Sequence, residues 1–293
     1  MLDARYFARL ARLKLAVDKK SNASLLGSRK SVRKGSSAEF SDFREYMPGD
    51  DIRAIDWNAY ARLDRLYIKE YMEEKESSVS LFIDLSKSMD YGEEKTKLAL
   101  QEEITAALAY IALMNMDHVA VYDLGDTRRR HIASGGKAGF SELTEWLDRL
   151  DNGENVDIFH SVSTVGRMQP GLSVIMSDFL SEEFVEDPDR LTQLIRYLQY
   201  RKQKVVLLHI LAKEEIEIEH SGTFFLIDSE DKDNRLRVTM ESASIRSYQD
   251  ALNEFTDGLK RSAKKCGASY HLCSTGVGFD KIIFDELKDI YEF

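Results

Sequence analysis

The sequence predicts an α/β protein in which a mostly parallel sheet is covered by helices on both faces. Three observations lead there. From residue 77 onward, short apolar runs alternate with longer runs of helical periodicity, the pattern of strands joined by crossover helices. The runs Val79–Ile83 and Val205–Leu211 are nearly uninterrupted by polar residues, as strands buried on both faces are. The first of them stops at small polar residues, Asp84-Leu-Ser86-Lys-Ser88, and another strand, Leu172–Met176, stops at Ser177-Asp178. In open α/β sheets, ligands sit at the carboxyl ends of strands.

Composition sets the bounds. The 293 residues suit one large domain, or a domain with a substantial extension. The formal net charge of −10 argues against general nucleic-acid binding. The charge is uneven: residues 1–77 hold 16 Lys and Arg against 13 Asp and Glu, the remainder 25 against 38. Cys266 and Cys273 form no disulfide framework and no zinc pattern, and fit a reducing, cytoplasmic setting as buried small hydrophobes. No apolar run approaches the roughly 20 residues of a membrane span. The basic, amphipathic start (Leu2, Tyr6, Phe7, Leu10, Leu13, Val17) lacks the continuous apolar core of a signal peptide. It reads as a helix over residues 1–20 packed on the body, with a membrane-surface helix, and hence a peripheral location, as the alternative.

Residues 21–38 form a polar connector carrying Arg29, Lys30, Arg33 and Lys34, which is either a solvated loop or a seat for an acidic partner or phosphate. Residues 39–76 hold Pro48-Gly49, a type II turn signal, amid the carboxylates Glu45, Asp50, Asp51 and Asp56, the arginines Arg44, Arg53 and Arg62, and the aromatics Phe40, Phe43, Tyr46, Trp57 and Tyr60. This reads as a compact irregular segment held by ion pairs over an aromatic cluster, with residues 65–76 as an extended strand leading into the sheet. It carries too few apolar side chains for its own core. The expected division is therefore residues 1–76 as an extension packed on the body and 77–293 as the main domain.

Past the Asp84 loop, a largely buried helix is expected over Lys95–Asn115. Strands follow at His118–Leu124 and Arg129–Ala133, then a turn at Gly135-Gly136. A helix at Phe140–Leu150 with Ser141 at its N-cap, and one at Ile158–Arg167 capped by Asp157, come next. After the strand Leu172–Met176 come a helix at Pro188–Arg201 and the strand Val205–Leu211, expected at the centre of the sheet. A hairpin of Phe224–Ile227 with Leu236–Thr239, a helix Ile245–Cys266, a strand Ser269–Cys273 and a last helix Asp280–Tyr291 close the chain.

The candidate site is Asp84, Ser86, Ser88 and Asp178. One carboxylate and two hydroxyls at alternate positions, joined by a second strand-end carboxylate, are hard oxygen donors of the kind that Mg²⁺ or Mn²⁺ accepts. If the two strands are neighbours, all four residues share one sheet edge. The simpler alternative is that Asp84 and Ser88 only cap the following turn and helix. Nucleophile-elbow and Walker A strings are absent, and the six histidines form no His-x-x-x-His pair. His118 and His209 read as core histidines.

The stretch Gly35-Ser-Ser-Ala-Glu-Phe-Ser-Asp-Phe-Arg-Glu-Tyr-Met-Pro-Gly-Asp-Asp-Ile-Arg-Ala-Ile-Asp-Trp-Asn-Ala-Tyr-Ala-Arg62, then Tyr67-Ile-Lys-Glu70, then the Asp84 string, resembles the bacterial domain-of-unknown-function family 58. Those proteins have a von Willebrand factor A-like, Rossmann-type domain and are often encoded beside MoxR-type AAA+ ATPases. The resemblance implies that Asp84, Ser86, Ser88 and Asp178 match a metal-ion-dependent adhesion site. Such a site normally adds a Thr from the loop that here spans residues 151–157. This chain has Val156-Asp157-Ile158 where Thr-Asp-Leu is expected.

Together these readings point to a non-enzymatic interaction module working with a MoxR-type ATPase in assembling or maturing another complex. A partner's carboxylate would complete the cation's ligands. The alternatives are a metal-dependent hydrolase at the same edge, and a structural domain docking through residues 29–34.

Overall fold

A computed structural model describes residues 4–16, 39–72, 77–151, 153, 156–187, 189–218, 222–227, 235–240 and 242–292. Arg29, Lys30, Arg33, Lys34, Asn155, Pro188, the hairpin tip at 231–234 and the side chain of Phe40 lie outside the described residues. The chain forms two compact units, Asn22–Glu76 and Met1–Ser21 with Ser77–Phe293.

In the larger unit, the expected N-terminal helix is a short one, α1 (Ala4–Leu10), followed by the two-residue strand β1 (Lys14–Leu15). Leu10 and Leu15 are buried in the core of this unit.

The smaller unit is more regular than expected. Strand β2 (Glu39–Glu45) leads to a turn in which Asp50 N donates to Met47 O and Gly49 has a φ of 109°, the value its type II geometry requires. Arg44 pairs with Asp50 at 2.9 Å, and Asp51 caps a 3₁₀ turn at Ile52–Ala54. Asp56 caps helix α2 (Trp57–Leu63) by accepting from Asn58 N and Ala59 N. Strand β3 (Tyr67–Met72) pairs antiparallel with β2 and does not enter the main sheet. The carboxylates thus act mostly as caps and turn locks. Among the described residues the aromatics are not buried together: Phe43, Trp57 and Tyr60 are exposed, while Ile55 and Ile68 are buried.

The larger unit continues with β4 (Ser78–Ile83), α3 (Lys97–Met114), β5 (His118–Asp123), β6 (Arg130–Ala133), α4 (Lys137–Leu147), α5 (Ile158–Thr164), β7 (Gly171–Ser177), α6 (Glu182–Glu186) and α7 (Asp189–Tyr200). Then come β8 (Gln203–Leu211), α8 (Lys213–Ile216), β9 (Gly222–Ile227), β10 (Arg235–Met240), α9 (Ser242–Cys266), β11 (Ser269–Ser274), α10 (Phe279–Lys281) and β12 (Tyr291–Glu292). The main sheet has six strands in the order β11-β8-β7-β4-β5-β6, all parallel except β6. The fold is α/β, as the strand–helix alternation predicts.

Side chains alternate across each strand. Val79, Leu81 and Ile83 of β4 face a core built with Leu100, Ile104, Leu108 and Ile111 of α3. Phe82 faces the opposite core, built with Ile158 and Val162 of α5, Leu194 and Leu198 of α7, and Leu259 of α9. Burial on both faces is why β4, β7 and β8 read as continuous apolar runs. Gly171 starts β7 hard against β4: a Cβ there would meet Ser78 O at 1.9 Å.

Further expectations for the larger unit need correction. β8 lies one strand from the edge, and β4 and β7 hold the centre. α4 starts at Lys137 behind Gly136, whose φ of 65° suits only glycine, and Ser141 lies inside the helix. The helix after Asp157 stops at Thr164. The last helix is a broken series, α10, a π turn at Ile282–Glu286 and a 3₁₀ turn at Lys288–Ile290, before β12 pairs with β1. His209 is fully buried, while His118 is only partly so. No helix among the described residues is long and apolar enough to cross a membrane.

Candidate cation site

The site forms because β4 and β7 are neighbours in parallel register, Ile83 opposite Met176. Their carboxyl ends open together, which brings the Asp84 loop beside Ser177-Asp178. Past Ile83 the chain turns sharply. Asp84 Oδ1 accepts from Ser86 N at 2.9 Å, and a 3₁₀ turn at Lys87–Asp90 carries Ser88. Just past β7, Phe179 adopts a left-handed backbone with φ of 54°, uncommon for a bulky residue. Its burial at 1% exposure holds it there, and the turn lets Leu180 N donate back to Asp178 Oδ1 at 3.1 Å.

Three of the four candidate donors meet directly. Ser88 Oγ donates to Asp178 Oδ2 at 2.9 Å and lies 3.1 Å from Ser86 Oγ. Around a Mg²⁺ ion with oxygens at about 2.1 Å, adjacent ligands of an octahedron are roughly 3 Å apart. The hydroxyl and carboxylate oxygens stand at that spacing, so the donor set fits a small hard cation. Asp84 stands behind them. Its Oδ2 accepts from Ser177 Oγ at 2.6 Å, and its role in the loop is to fix Ser86. No three His, Cys, Asp or Glu side chains among the described residues converge as a metal-binding group, so hydroxyls would have to do part of the ligation.

The electrostatics divide the two carboxylates. Burial raises the pKa of Asp84, and Asp178 raises it further, against the donors Ser177 and Ser86. Burial works the same way on Asp178, but the charge and hydrogen bond of Lys97, with those from Leu180 N and Ser88, together outweigh it and hold Asp178 below the usual carboxylate range. Lys97 in turn is kept charged despite burial, because it donates to Asp178 Oδ2 and Glu215 Oε1, each at 2.8 Å. Glu215 is fixed by its other oxygen, which accepts from Ala212 N at 2.7 Å. His209, buried beneath Asp178 and bonded to Tyr270 through Nδ1, is pushed down to about 4 by desolvation and is neutral at pH 7.

Sequence reading missed Lys97, Gln101 and Glu215. The signal for the first two was present: Lys97, Gln101 and Thr105 recur every four residues in a largely apolar helix, which puts them on one face. That face meets the ends of β4 and β7. Gln101 accepts from Asp84 N at 3.2 Å and donates to Asp84 O at 2.8 Å, and Thr105 reaches Met176 Sδ at 3.6 Å. The 151–157 loop also arrives at the site, where Gly153 N donates to Leu85 O at 2.6 Å. It brings no hydroxyl among its described residues. Val156 is partly buried, and Asp157 spends its carboxylate capping α5 through His160 N. Tyr91 and Tyr248, 49% and 38% exposed, stand close enough to Glu215 and Lys97 for those charges to act on their hydroxyls.

A family described as a protein of unknown function, DUF58, matches residues 42–256. An uncharacterized protein of Mycobacterium tuberculosis and one of Mycobacterium bovis are each 25% identical over 278 residues, covering 91% of this chain and 84% of the relative. Among solved structures, the conserved hypothetical protein BatB from Bacteroides thetaiotaomicron superposes with a TM-score of 0.46 at 13% identity, covering 73% of this chain and 98% of that one. Proximal thread matrix protein 1 from the mussel byssus gives 0.33 at 11% identity, covering 46% and 37%.

Proposed function

The chain belongs to the DUF58 family, and we propose that it is a non-enzymatic protein-interaction module of von Willebrand A-like type that captures a partner at the carboxyl edge of its sheet. The observation that carries this reading is the cluster of Ser86, Ser88 and Asp178 oxygens at 2.9 and 3.1 Å, open to solvent through the half-buried Ser88. Mg²⁺ or Mn²⁺ bound by Ser86, Ser88 and Asp178, with Asp84 holding the loop, would supply a positive centre for a partner's Asp or Glu. The chain's own residues would orient that carboxylate, with Tyr91 and Tyr248 near the rim. The resemblance of residues 35–62 to proteins encoded beside MoxR-type AAA+ ATPases supports such an ATPase as co-worker, in the cytoplasm, in assembly or maturation of a client complex.

Nothing in the geometry favours hydrolysis. Both oxygens of Asp84 and both of Asp178 already accept hydrogen bonds, which leaves neither as a general base poised over the edge. The test is equilibrium binding of a purified MoxR-type ATPase from the same genome to the immobilised chain. The reading expects binding that weakens at least about tenfold, about 1.4 kcal/mol, with EDTA and with Asp84→Asn. Binding indifferent to both, or turnover of phosphoester or peptide substrates lost with Asp84→Asn, would overturn it.

A further inference from the structure

We propose that Lys97 is a built-in competitor for this cation site, whose ammonium must release Asp178 and retreat to Glu215 before a divalent ion can bind. The inference rests on the reading of Ser86, Ser88 and Asp178 as cation ligands, and it deepens that reading by saying what controls occupancy.

Asp178 Oδ2 is the carboxylate oxygen that faces Ser88, since Oδ1 is committed to Leu180 N. Oδ2 is therefore the oxygen that a cation shared with Ser88 would use. Lys97 Nζ already sits on it at 2.8 Å. A cation and an ammonium sharing one oxygen lie within a few ångströms of each other, where like charges repel strongly because Lys97 and Asp178 are buried. Only one of them can hold Oδ2 well.

Lys97 has somewhere to go. Its second contact, Glu215 Oε1, is also at 2.8 Å, and Glu215 is held in place by Ala212 N. An ammonium that loses Asp178 keeps a carboxylate partner, so the exchange leaves no unpaired buried charge. Remaining near Asp178 is equally well supported, because Lys97 is 1% exposed and rooted at the first residue of α3, where Thr96 caps the helix. The site thus carries its own monovalent cation. A divalent ion, which offers twice the charge, gains the site in competition with it. Occupancy is therefore set by divalent concentration and by a partner's added carboxylate, and is not locked in.

The experiment is calorimetric titration of Mn²⁺ into the full chain, stripped with EDTA, for wild type, Asp84→Asn, Lys97→Met, Lys97→Met/Asp84→Asn and Lys87→Met. Lys87 is exposed in the same loop and controls for loss of a nearby positive charge. Lys97→Met should bind Mn²⁺ about tenfold tighter or better than wild type, Lys87→Met should change affinity by about twofold at most, and Asp84→Asn should cancel the gain. Wild-type binding that is lost with Asp84→Asn but unimproved by Lys97→Met overturns the competition and leaves the cation reading standing. No Mn²⁺ binding in any of these chains overturns both. An equal gain in Lys87→Met also overturns the competition. Should Lys97→Met fail to fold, Glu215→Gln tests the same exchange. It should weaken Mn²⁺ binding several-fold more than Glu214→Gln, and an equal or smaller effect refutes the retreat of Lys97 to Glu215.

Discussion

Lys97 and Asp178 form a buried ion pair at 2.8 Å, with side chains 1% and 6% exposed, at the point where the two central strands end. Lys97 lies in the first turn of α3, where the helix dipole disfavours positive charge. Asp178 and Glu215 offset that cost. Removing the ammonium alone leaves Asp178 buried, and Glu215 half-buried, without their partner, so Lys97→Met should destabilise the metal-free chain by about 3–5 kcal/mol. Denaturant unfolding measures this directly. A loss below about 1 kcal/mol, the value of a surface pair, would show that the pair is solvated.

Gln101 connects the helix to the loop. Its amide satisfies both the N–H and the C=O of Asp84 at full burial. Gln101→Leu keeps the volume but orphans the carbonyl, and should cost about 1–3 kcal/mol. It should also loosen the Asp84 loop, which hydrogen exchange at the Ser86 amide would report as faster opening.

Glu183 supplies a pH dependence. It accepts from Ile158 N at 2.7 Å and Phe159 N at 3.4 Å, and so satisfies the first amides of α5. Burial first, and then Asp157, raise its pKa to about 7, against those backbone donors. In the unfolded chain it titrates near 4.3. Between these values the folded state binds the extra proton, so this stabilisation is full below about pH 4 and is lost as pH rises through about 7. After discounting for screening, the loss is about 1–2 kcal/mol. Glu183→Gln should remove that downward slope. The buried His209, lowered to about 4, slopes the opposite way from about 4 to 6.5 and is common to both chains, so the difference between their profiles isolates Glu183.

Gly171 tests the strand contact that positions the two carboxyl ends. Its ideal Cβ would lie 1.9 Å from Ser78 O, a backbone atom that cannot step aside. Gly171→Ala should destabilise by about 2 kcal/mol or more through overpacking. Because β7 would shift against β4, it should weaken Mn²⁺ binding as well, although no ligand has been changed.

The fold, and the strand ends on which Asp84, Ser86, Ser88 and Asp178 sit, were legible in the sequence because their signals are local. Continuous apolar runs mark strands buried on both faces, and a small polar residue straight after such a run marks a strand end. The neighbouring placement of β4 and β7 was a condition of the site reading, and their register meets it. What stayed hidden depends on the third dimension. Lys97 and Gln101 show only a four-residue spacing within α3, and nothing local ties Lys97 to Glu215, 118 residues away. β8 reads as a central strand because its apolar run is the longest, yet a strand one place from the edge is covered just as fully when helices flank both faces. The aromatic stretch at 39–76 misled for a related reason. Asp50 and Glu45 do form ion pairs, with Arg44 and Arg65, but Asp51 and Asp56 cap short helices, a role set by the backbone beside them.

The central claim is that Ser86, Ser88 and Asp178, with Asp84 behind them, hold one divalent cation. Thermal unfolding of wild type and Asp84→Asn, in EDTA and then in Mn²⁺ at about ten times the dissociation constant found by calorimetry, tests it most directly. At about ten times the dissociation constant, binding adds about 1.4 kcal/mol. For a chain of this length that is a rise in Tm of about 3 °C. The account predicts that rise in wild type and its loss in Asp84→Asn. A wild-type midpoint that Mn²⁺ leaves unmoved, or one that moves equally in both chains, would contradict it.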